Sequence, residues 1–230
     1  MTTGMNLPDE TAKVRVVSAA VDAVMVEFAA VISPRVNRQV HALANWLEQQ
    51  HSEVILELVP AYRTLMVYYN IALASEAAVR QIIEKGIEQL TADTGQSADK
   101  RSVIPVEVCY DPQVALDMDA VTELTGCSIE DIIRLHTEPE YLVYALGFAP
   151  GFAYMGDVPE RLRIPRLDTP RQKVPARSVA IANQQTAIYP RQSPGGWRII
   201  GRVRELPQLQ PGDQVKFVSI SLAEFNRGQS

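Results

Sequence analysis

The residues best suited to chemistry lie in three proline- and glycine-rich segments of the second half of the chain. The first segment is Gly147-Phe148-Ala149-Pro150-Gly151-Phe152-Ala153-Tyr154. Its two glycines allow positive φ and a close approach of the backbone to a ligand, and its proline stiffens the loop. The segment predicts either a ligand-binding loop or a tight turn whose three aromatic rings fill the core.

The other two segments are suited to binding an anion. The pairs Pro165-Arg166 and Pro170-Arg171 place two guanidinium groups on rigid loops, which suits a carboxylate or phosphate, although a solvated basic loop is the alternative. In Ser193-Pro194-Gly195-Gly196-Trp197, the Pro-Gly-Gly turn leaves backbone N–H groups to point at an anion or a carbonyl oxygen. Trp197 would wall a pocket there, unless the segment is a hairpin turn with a packed tryptophan.

His136 is the only histidine in the second half of the chain. It ends a predicted helix that begins after Ser128, where the helix dipole favours a cationic imidazole. His136 is therefore the candidate general acid or base, and a structural or C-capping role is the alternative.

Several classes of protein are disfavoured by composition and by missing motifs. The formal net charge of -5 argues against a non-specific nucleic-acid binder, although nine arginines between residues 161 and 204 allow a locally positive face. The chain has no Walker loop that would bind ATP, and with so few histidines and cysteines we predict no metal site. It has no signal peptide and no apolar run long enough to span a membrane, so we expect a cytoplasmic protein that contacts neither nucleic acid nor membrane.

Two domains must position these segments. Over residues 12–92, strand patterns at 13–17, 23–28, 53–59 and 64–69 alternate with two amphipathic helices, the first capped by Ser33 and the second opened by Ser75. This order predicts a small α+β domain whose sheet is covered by both helices. Residues 91–101 are polar, without apolar periodicity, and are the predicted linker.

The second half, over residues 103–225, consists mainly of short strands. Strands are predicted at 103–109, 141–146, 179–182, 187–189, 198–202 and 214–220, with short helices over 117–124 and after Ser128. Many short strands joined by turns and long loops favour a barrel or sandwich whose loops carry function.

Taken together, the second-half segments resemble the PxpB/KipI family, which comprises the B subunits of 5-oxoprolinase and the allophanate hydrolase subunit 1-like proteins. The matching segments, in order, are 134–136, 141–155, 165–166, 170–171, 174–176, 178–182, 185–186, 188–190, 193–197 and Gly201. The match covers roughly residues 103–220, and its specificity comes from the shared order and spacing of many segments.

The resemblance implies a cyclophilin-like β-barrel for the second domain and an α+β first domain. It implies one subunit of ATP-dependent 5-oxoprolinase, which hydrolyses 5-oxo-L-proline to L-glutamate, acting with PxpC/KipA-like and PxpA-like subunits and inactive alone. ATP would be used by the complex. The alternatives are a KipI-type inhibitor of a sensor histidine kinase, or a subunit related to urea carboxylase or allophanate hydrolase. Isomerase activity, by analogy to the barrel alone, ranks low because a fold does not carry function.

The resemblance also selects candidate site residues. His136 and Arg171 are the candidate catalytic residues, and the candidates for binding substrate or an anion are Phe148, Pro150, Gly151, Arg166, Tyr189, Gly195, Gly196 and Trp197. One position departs from the family, which usually has glycine where this chain has Arg177. Arginine does not adopt positive φ cheaply, so either the backbone there is ordinary or the loop differs in this member.

Overall fold

The structure, a computed structural model, describes residues 13–92 and 103–227. The chain divides into two compact units, Met1–Asp99 and Lys100–Ser230. The first two residues of the predicted linker over 91–101 belong to a helix, and the rest of that linker lies outside the described residues.

The first unit has the α+β architecture that the sequence predicts. Its elements, in chain order, are β1 (Arg15–Ala20), β2 (Ala23–Glu27), α1 (Pro34–His51), β3 (Ile55–Pro60), β4 (Thr64–Tyr69) and α2 (Glu76–Ala92). The four strands form an antiparallel sheet in the order β1-β2-β4-β3.

Local sequence explains the elements of this unit. Helix α1 begins at Pro34, and the hydroxyl of Ser33 accepts a hydrogen bond from the backbone N–H of Val36 at 3.2 Å. Residues at helical spacing in α1 and alternate residues of β4 are buried in one core that both helices share.

The second unit contains the remaining elements. They are β5 (Val103–Cys109), α3 (Met118–Thr125), α4 (Ile129–Thr137), β6 (Tyr141–Leu146), β7 (Ala153–Gly156), a 3₁₀ helix (Glu160–Leu162), β8 (Arg171–Val174), β9 (Ser178–Ala182), β10 (Gln185–Ile188), β11 (Ser193–Gly195), β12 (Arg198–Val203), β13 (Gln214–Ile220) and α5 (Leu222–Asn226). Seven of these strands close into a barrel in the order β10-β7-β6-β13-β5-β12-β9, which confirms the expected β-barrel. Strands β8 and β11 pair separately as a two-stranded sheet.

The barrel strands bury apolar residues on both faces. All seven contribute to one core cluster, to which α3 and α4 add Met118, Val121 and Ile132, so this cluster fills the interior. On β9, Val179 and Ile181 belong to it, whereas the alternating Ala180 and Ala182 belong to a second cluster. That second cluster therefore lies on the outer face of the barrel, where the loops with candidate site residues cover it.

Candidate functional site

Five aromatic side chains gather on the outer face of the barrel, and we call them the aromatic site: Phe148, Phe152, Tyr154, Tyr189 and Trp197. The ring of Phe152 is central, with centroids at 5.2 Å from Phe148, 4.8 Å from Tyr154, 5.2 Å from Tyr189 and 6.0 Å from Trp197. Most of these contacts are edge-to-face, the arrangement that aromatic quadrupoles favour. Two of the three segments singled out from the sequence thus meet at one place.

The loop before Phe152 is the turn of the β6–β7 hairpin. It is closed by a hydrogen bond from the backbone N–H of Gly147 to the carbonyl of Phe152 at 3.1 Å. Gly151 has φ 82, so the glycine is required there by the left-handed backbone. Phe148 also has positive φ, at 58, and its side chain is 62% exposed. The loop is therefore both a turn that packs aromatic rings and a support for one exposed ring.

Arg166 is the cation of the aromatic site. Its guanidinium lies 5.8 Å from the centroid of the Trp197 ring, and the residue is exposed to solvent. Burial raises the pKa of the Tyr189 hydroxyl. Two smaller effects lower that pKa: a hydrogen bond that the hydroxyl accepts from the backbone N–H of Trp197, and the positive charge of Arg166. Burial likewise raises the pKa of Tyr154, against the opposing charge of Arg166. Both phenols are therefore neutral near pH 7, and Arg166 provides the site's positive charge.

Arg171, the second predicted cation, is held by an acid that the sequence did not point to. Its two terminal nitrogens donate to the two carboxylate oxygens of Asp117 at 2.9 and 2.6 Å. Asp117 is buried, at 5% exposure, and also accepts the backbone N–H of Ile199 at 2.6 Å. Because this carboxylate balances the Arg171 charge, Arg171 fastens β8 to the barrel and leaves Arg166 as the cation available to a ligand.

Close packing explains Gly195, whereas Gly196 has ordinary contacts around it. A Cβ on Gly195 would meet the Tyr189 ring, with Cε1 and Cζ both at 2.8 Å. The carbonyl of Gly196 accepts the backbone N–H of Leu167 at 2.7 Å, which ties the Arg166 loop to the turn before Trp197. The proposed donation of Gly195 and Gly196 N–H groups to a ligand stays a prediction.

His136 lies in the barrel interior, away from the aromatic site. It is fully buried, and its two ring nitrogens are hydrogen-bonded to the hydroxyls of Tyr110 at 2.7 Å and Thr186 at 2.9 Å. The ring stacks on Phe217 with centroids 4.6 Å apart. Burial lowers the pKa of His136 to about 3, so it is neutral in the folded protein. These contacts are those of a core histidine, and we do not include His136 in the site that we propose.

A groove of about 490 Å³ opens beside the hairpin loop, between Gly151, Pro190 and the exposed side chains of Leu146 and Leu206. Pro150 is exposed at the tip of the loop.

Within the described residues, no cluster of His, Cys, Asp or Glu has a geometry that could hold a metal ion. Nor does any helix in residues 13–92 and 103–227 combine the length and hydropathy needed to cross a membrane.

The geometry can bind an anion that also has an apolar surface. An exposed guanidinium beside an indole ring can bind a carboxylate, and the exposed ring of Phe148 offers a flat apolar surface. Alone, the aromatic site is therefore equipped for binding and orientation.

The sequence of this chain matches a known protein family. The family model described as the carboxyltransferase domain, subdomain C and D, matches residues 14–208. The B subunit of 5-oxoprolinase from Bacillus subtilis (strain 168) is 35% identical over 220 residues, which cover 89% of this chain and 92% of the relative.

Solved structures share the fold. TTHA0988 matches with a TM-score of 0.74 at 33% identity, over 86% of this chain and 40% of that one, so the present chain spans less than half of TTHA0988. Kluyveromyces lactis urea carboxylase matches with a TM-score of 0.71 at 15% identity, over 93% of this chain and 22% of that one. At that identity the likeness shows the fold alone.

Proposed function

The chain belongs to the family of 5-oxoprolinase B subunits, and we propose that it is one subunit of an ATP-dependent 5-oxoprolinase whose substrate binds at the aromatic site. Family membership, expected from the motifs of the second half, is confirmed by the family model and by the Bacillus subtilis relative. The proposal extends this to 5-oxo-L-proline as substrate, L-glutamate as product and ATP hydrolysis as the coupled reaction.

The observation that carries the proposal is the position of Arg166, 5.8 Å from the centroid of the Trp197 ring, in a site where Phe152 lies between Trp197 and the exposed ring of Phe148. 5-Oxo-L-proline is a five-membered lactam with one carboxylate. The guanidinium of Arg166 would bind that carboxylate, and the aromatic rings would pack against the flat lactam. Of the side chains in these two contacts, Arg166 and Phe148 are exposed to solvent, so the lactam would pack against the Phe148 ring.

Opening the lactam requires activation of a very stable amide, which phosphorylation of its oxygen by ATP would supply. The aromatic site offers a carboxylate clamp and ring packing, so the phosphoryl-transfer groups would come from PxpC/KipA-like and PxpA-like subunits. Such a composite site explains why we expect no turnover from this chain alone. The chain would raise the rate by holding the substrate in the reactive orientation.

The test is reconstitution with candidate PxpA-like and PxpC-like partners, followed by measurement of ADP release that depends on 5-oxoproline. We expect Arg166→Ala to raise KM by about 10- to 100-fold, the effect of losing one charge-assisted contact. The matched control is Arg161→Ala, an exposed arginine on the 3₁₀ helix, which should leave KM unchanged.

Two outcomes would count against the proposal. An unchanged KM for Arg166→Ala in an active complex would remove the substrate from the aromatic site. No 5-oxoproline-dependent ADP release with either partner, together with tight binding to a histidine kinase dimerisation domain, would favour the kinase inhibitor.

A further inference from the structure

Arg177 lies in the turn between β8 and β9 with φ 68, in the left-handed region. The backbone there is therefore not ordinary, and the chain keeps the conformation for which glycine is suited while presenting an arginine. A left-handed conformation is unfavourable for a non-glycine residue, because its Cβ lies too close to the following carbonyl oxygen. An arginine at this position therefore indicates a role for its side chain.

The Arg177 side chain lies next to a second arginine. On the outer face, Arg202 of β12 is directly opposite Ser178 of β9, so these two side chains leave the sheet on the same face. Arg177 precedes Ser178, and its carbonyl accepts the backbone N–H of Val203, the residue after Arg202. Arg177, Ser178 and Arg202 therefore lie at the same end of the β9–β12 pair.

Each of the two guanidinium groups makes one hydrogen bond to a carbonyl. Arg177 Nη1 donates to the carbonyl of Arg204 at 2.6 Å, and Arg202 Nε donates to the carbonyl of Ala176 at 2.9 Å. Arg177 also lies over the Phe225 ring, 5.7 Å from its centroid. Among the described residues, the remaining N–H groups of both arginines have no hydrogen-bond acceptor and are left as donors.

Nearby acids do not neutralise the pair. Glu107 on the neighbouring strand β5 forms an ion pair with Arg204 at 2.8 Å. Glu224 is taken up in the capping box with Ser221. Across residues 13–92 and 103–227, no carboxylate is within ion-pair distance of Arg177 or Arg202. Burial and the neighbouring charge of Arg177 lower the pKa of Arg202, as expected for two uncompensated cations.

Ser178 adds an independent sign of a missing partner. Its side chain is 1% exposed, and its hydroxyl has no hydrogen-bond partner in the part of the chain that the structure describes. A buried hydroxyl without a hydrogen-bond partner is unfavourable, because it has lost its hydration without replacement. An acceptor oxygen placed between Ser178 and the two guanidinium groups would satisfy it.

We propose that Arg177, Arg202 and Ser178 form a binding site for a doubly charged oxyanion, namely a phosphate or the phosphoryl group of a small ligand. Two guanidinium groups balance two negative charges, and they and the hydroxyl supply hydrogen-bond donors to the oxygens. A carboxylate carries one charge and would leave one cation uncompensated. The site uses none of the ligand contacts proposed for 5-oxoproline, so it does not depend on the proposed function.

The test is titration of the full chain with inorganic phosphate at constant ionic strength, followed by isothermal calorimetry and by thermal melting. Acetate at equal ionic strength reports carboxylate binding. Phenyl phosphate distinguishes the two phosphate sources, because tighter binding of the ester would indicate a phosphorylated ligand and tighter binding of the free ion would indicate phosphate itself. We expect phosphate to raise the melting temperature, since a ligand of the folded state stabilises it.

Single substitutions test whether phosphate binds at these three residues. Arg177→Gly accepts the left-handed backbone and should fold, yet we expect it to weaken phosphate binding about tenfold or more. Arg202→Gln should do the same, and Ser178→Ala should weaken binding by less. The matched control is Arg198→Gln on the same strand, where Nε also donates to a backbone carbonyl, that of Pro165.

Three results would overturn the proposal. They are the absence of phosphate binding to a folded chain, equal binding of acetate and phosphate, and equal phosphate affinity for Arg177→Gly, Arg202→Gln and the unsubstituted chain. Weakening by Arg198→Gln as large as that by Arg202→Gln would indicate non-specific attraction to a basic surface and would also count against it.

Discussion

Replacement of Asp117 by asparagine tests the contact that ties β8 to the barrel. The carboxylate accepts two hydrogen bonds from Arg171 and one from the backbone N–H of Ile199. An asparagine of the same shape keeps one acceptor oxygen and turns the other position into a donor that faces a guanidinium N–H. The variant therefore loses at least one charge-assisted hydrogen bond and leaves the Arg171 charge uncompensated.

The expected loss in the free energy of unfolding is about 3 kcal/mol. Hydrogen bonds to charged groups contribute about 1.5 to 3 kcal/mol, and breaking a buried ion pair costs about 3 to 5 kcal/mol. The upper end does not apply because the Arg171 side chain is 29% exposed and regains some hydration. The side chain at position 117, which is 5% exposed, gains no such hydration when the ion pair is lost.

Urea unfolding monitored by Trp197 fluorescence measures this change in the second unit. Trp46, the other tryptophan, lies in the first unit, so the measurement uses a Trp46→Phe background. The matched control is Glu107→Gln, which removes an exposed pair with Arg204 and should cost less than about 1 kcal/mol. In a double-mutant cycle, Asp117→Asn with Arg171→Met should cost clearly less than the sum of the single changes. A loss below about 1 kcal/mol for Asp117→Asn, or strict additivity, would refute the reasoning.

Three further predictions concern packing, protonation and the exposed loop. Gly195→Ala should destabilise the second unit by about 1 to 3 kcal/mol because its Cβ meets the Tyr189 ring, whereas Gly196→Ala should cost less than about 1 kcal/mol; thermal melting compares them. Burial lowers the pKa of His136 from 6.5 to about 3, so between these pH values the unfolded state binds a proton that the folded state does not. The free energy of unfolding should therefore fall by about 2 kcal/mol from pH 7 to pH 5. His136→Gln should lack that part of the decline in urea unfolding at the two pH values. Phe148→Asn should raise thermal stability slightly, because asparagine tolerates positive φ, and should raise the KM for 5-oxoproline in the reconstituted complex; an unchanged KM would exclude a Phe148 contact.

Elements whose signal is local could be predicted from sequence. Strands β4 and β13 have the predicted bounds, and α1 begins where Ser33 and Pro34 place its cap. Strands β7, β8 and β11 were not predicted, because β7 lies within and just after an aromatic loop and the short β8 and β11 pair only with each other. The strand character of β8 and β11 comes from a partner about 20 residues away in the chain, whereas β7 pairs with the neighbouring β6 and with the distant β10.

The same distinction separates the site residues. Arg166 and Trp197 were singled out by type, and the structure brings them together through loops that lie about 30 residues apart in the sequence. Asp117 was assigned only to the start of a helix, since its pairing with Arg171 spans 54 residues and leaves no local pattern. The aspartate in fact makes no side-chain cap on α3, and its carboxylate is used entirely by contacts outside that helix.

Backbone strain links the two places where we propose ligands. Three non-glycine residues in the described chain have left-handed backbones: Phe148, Arg177 and Asn183. Asn183 lies in the tight turn between β9 and β10, and asparagine is a type that tolerates this conformation, so local turn geometry accounts for it. Phenylalanine and arginine are not such types, and glycine would fit both positions at lower cost. Each instead presents a large side chain at the rim of a loop, Phe148 beside the aromatic site and Arg177 beside Arg202. Strain that local geometry does not require is typical of functional positions, which is why the substitutions Phe148→Asn and Arg177→Gly should relieve strain while they weaken binding.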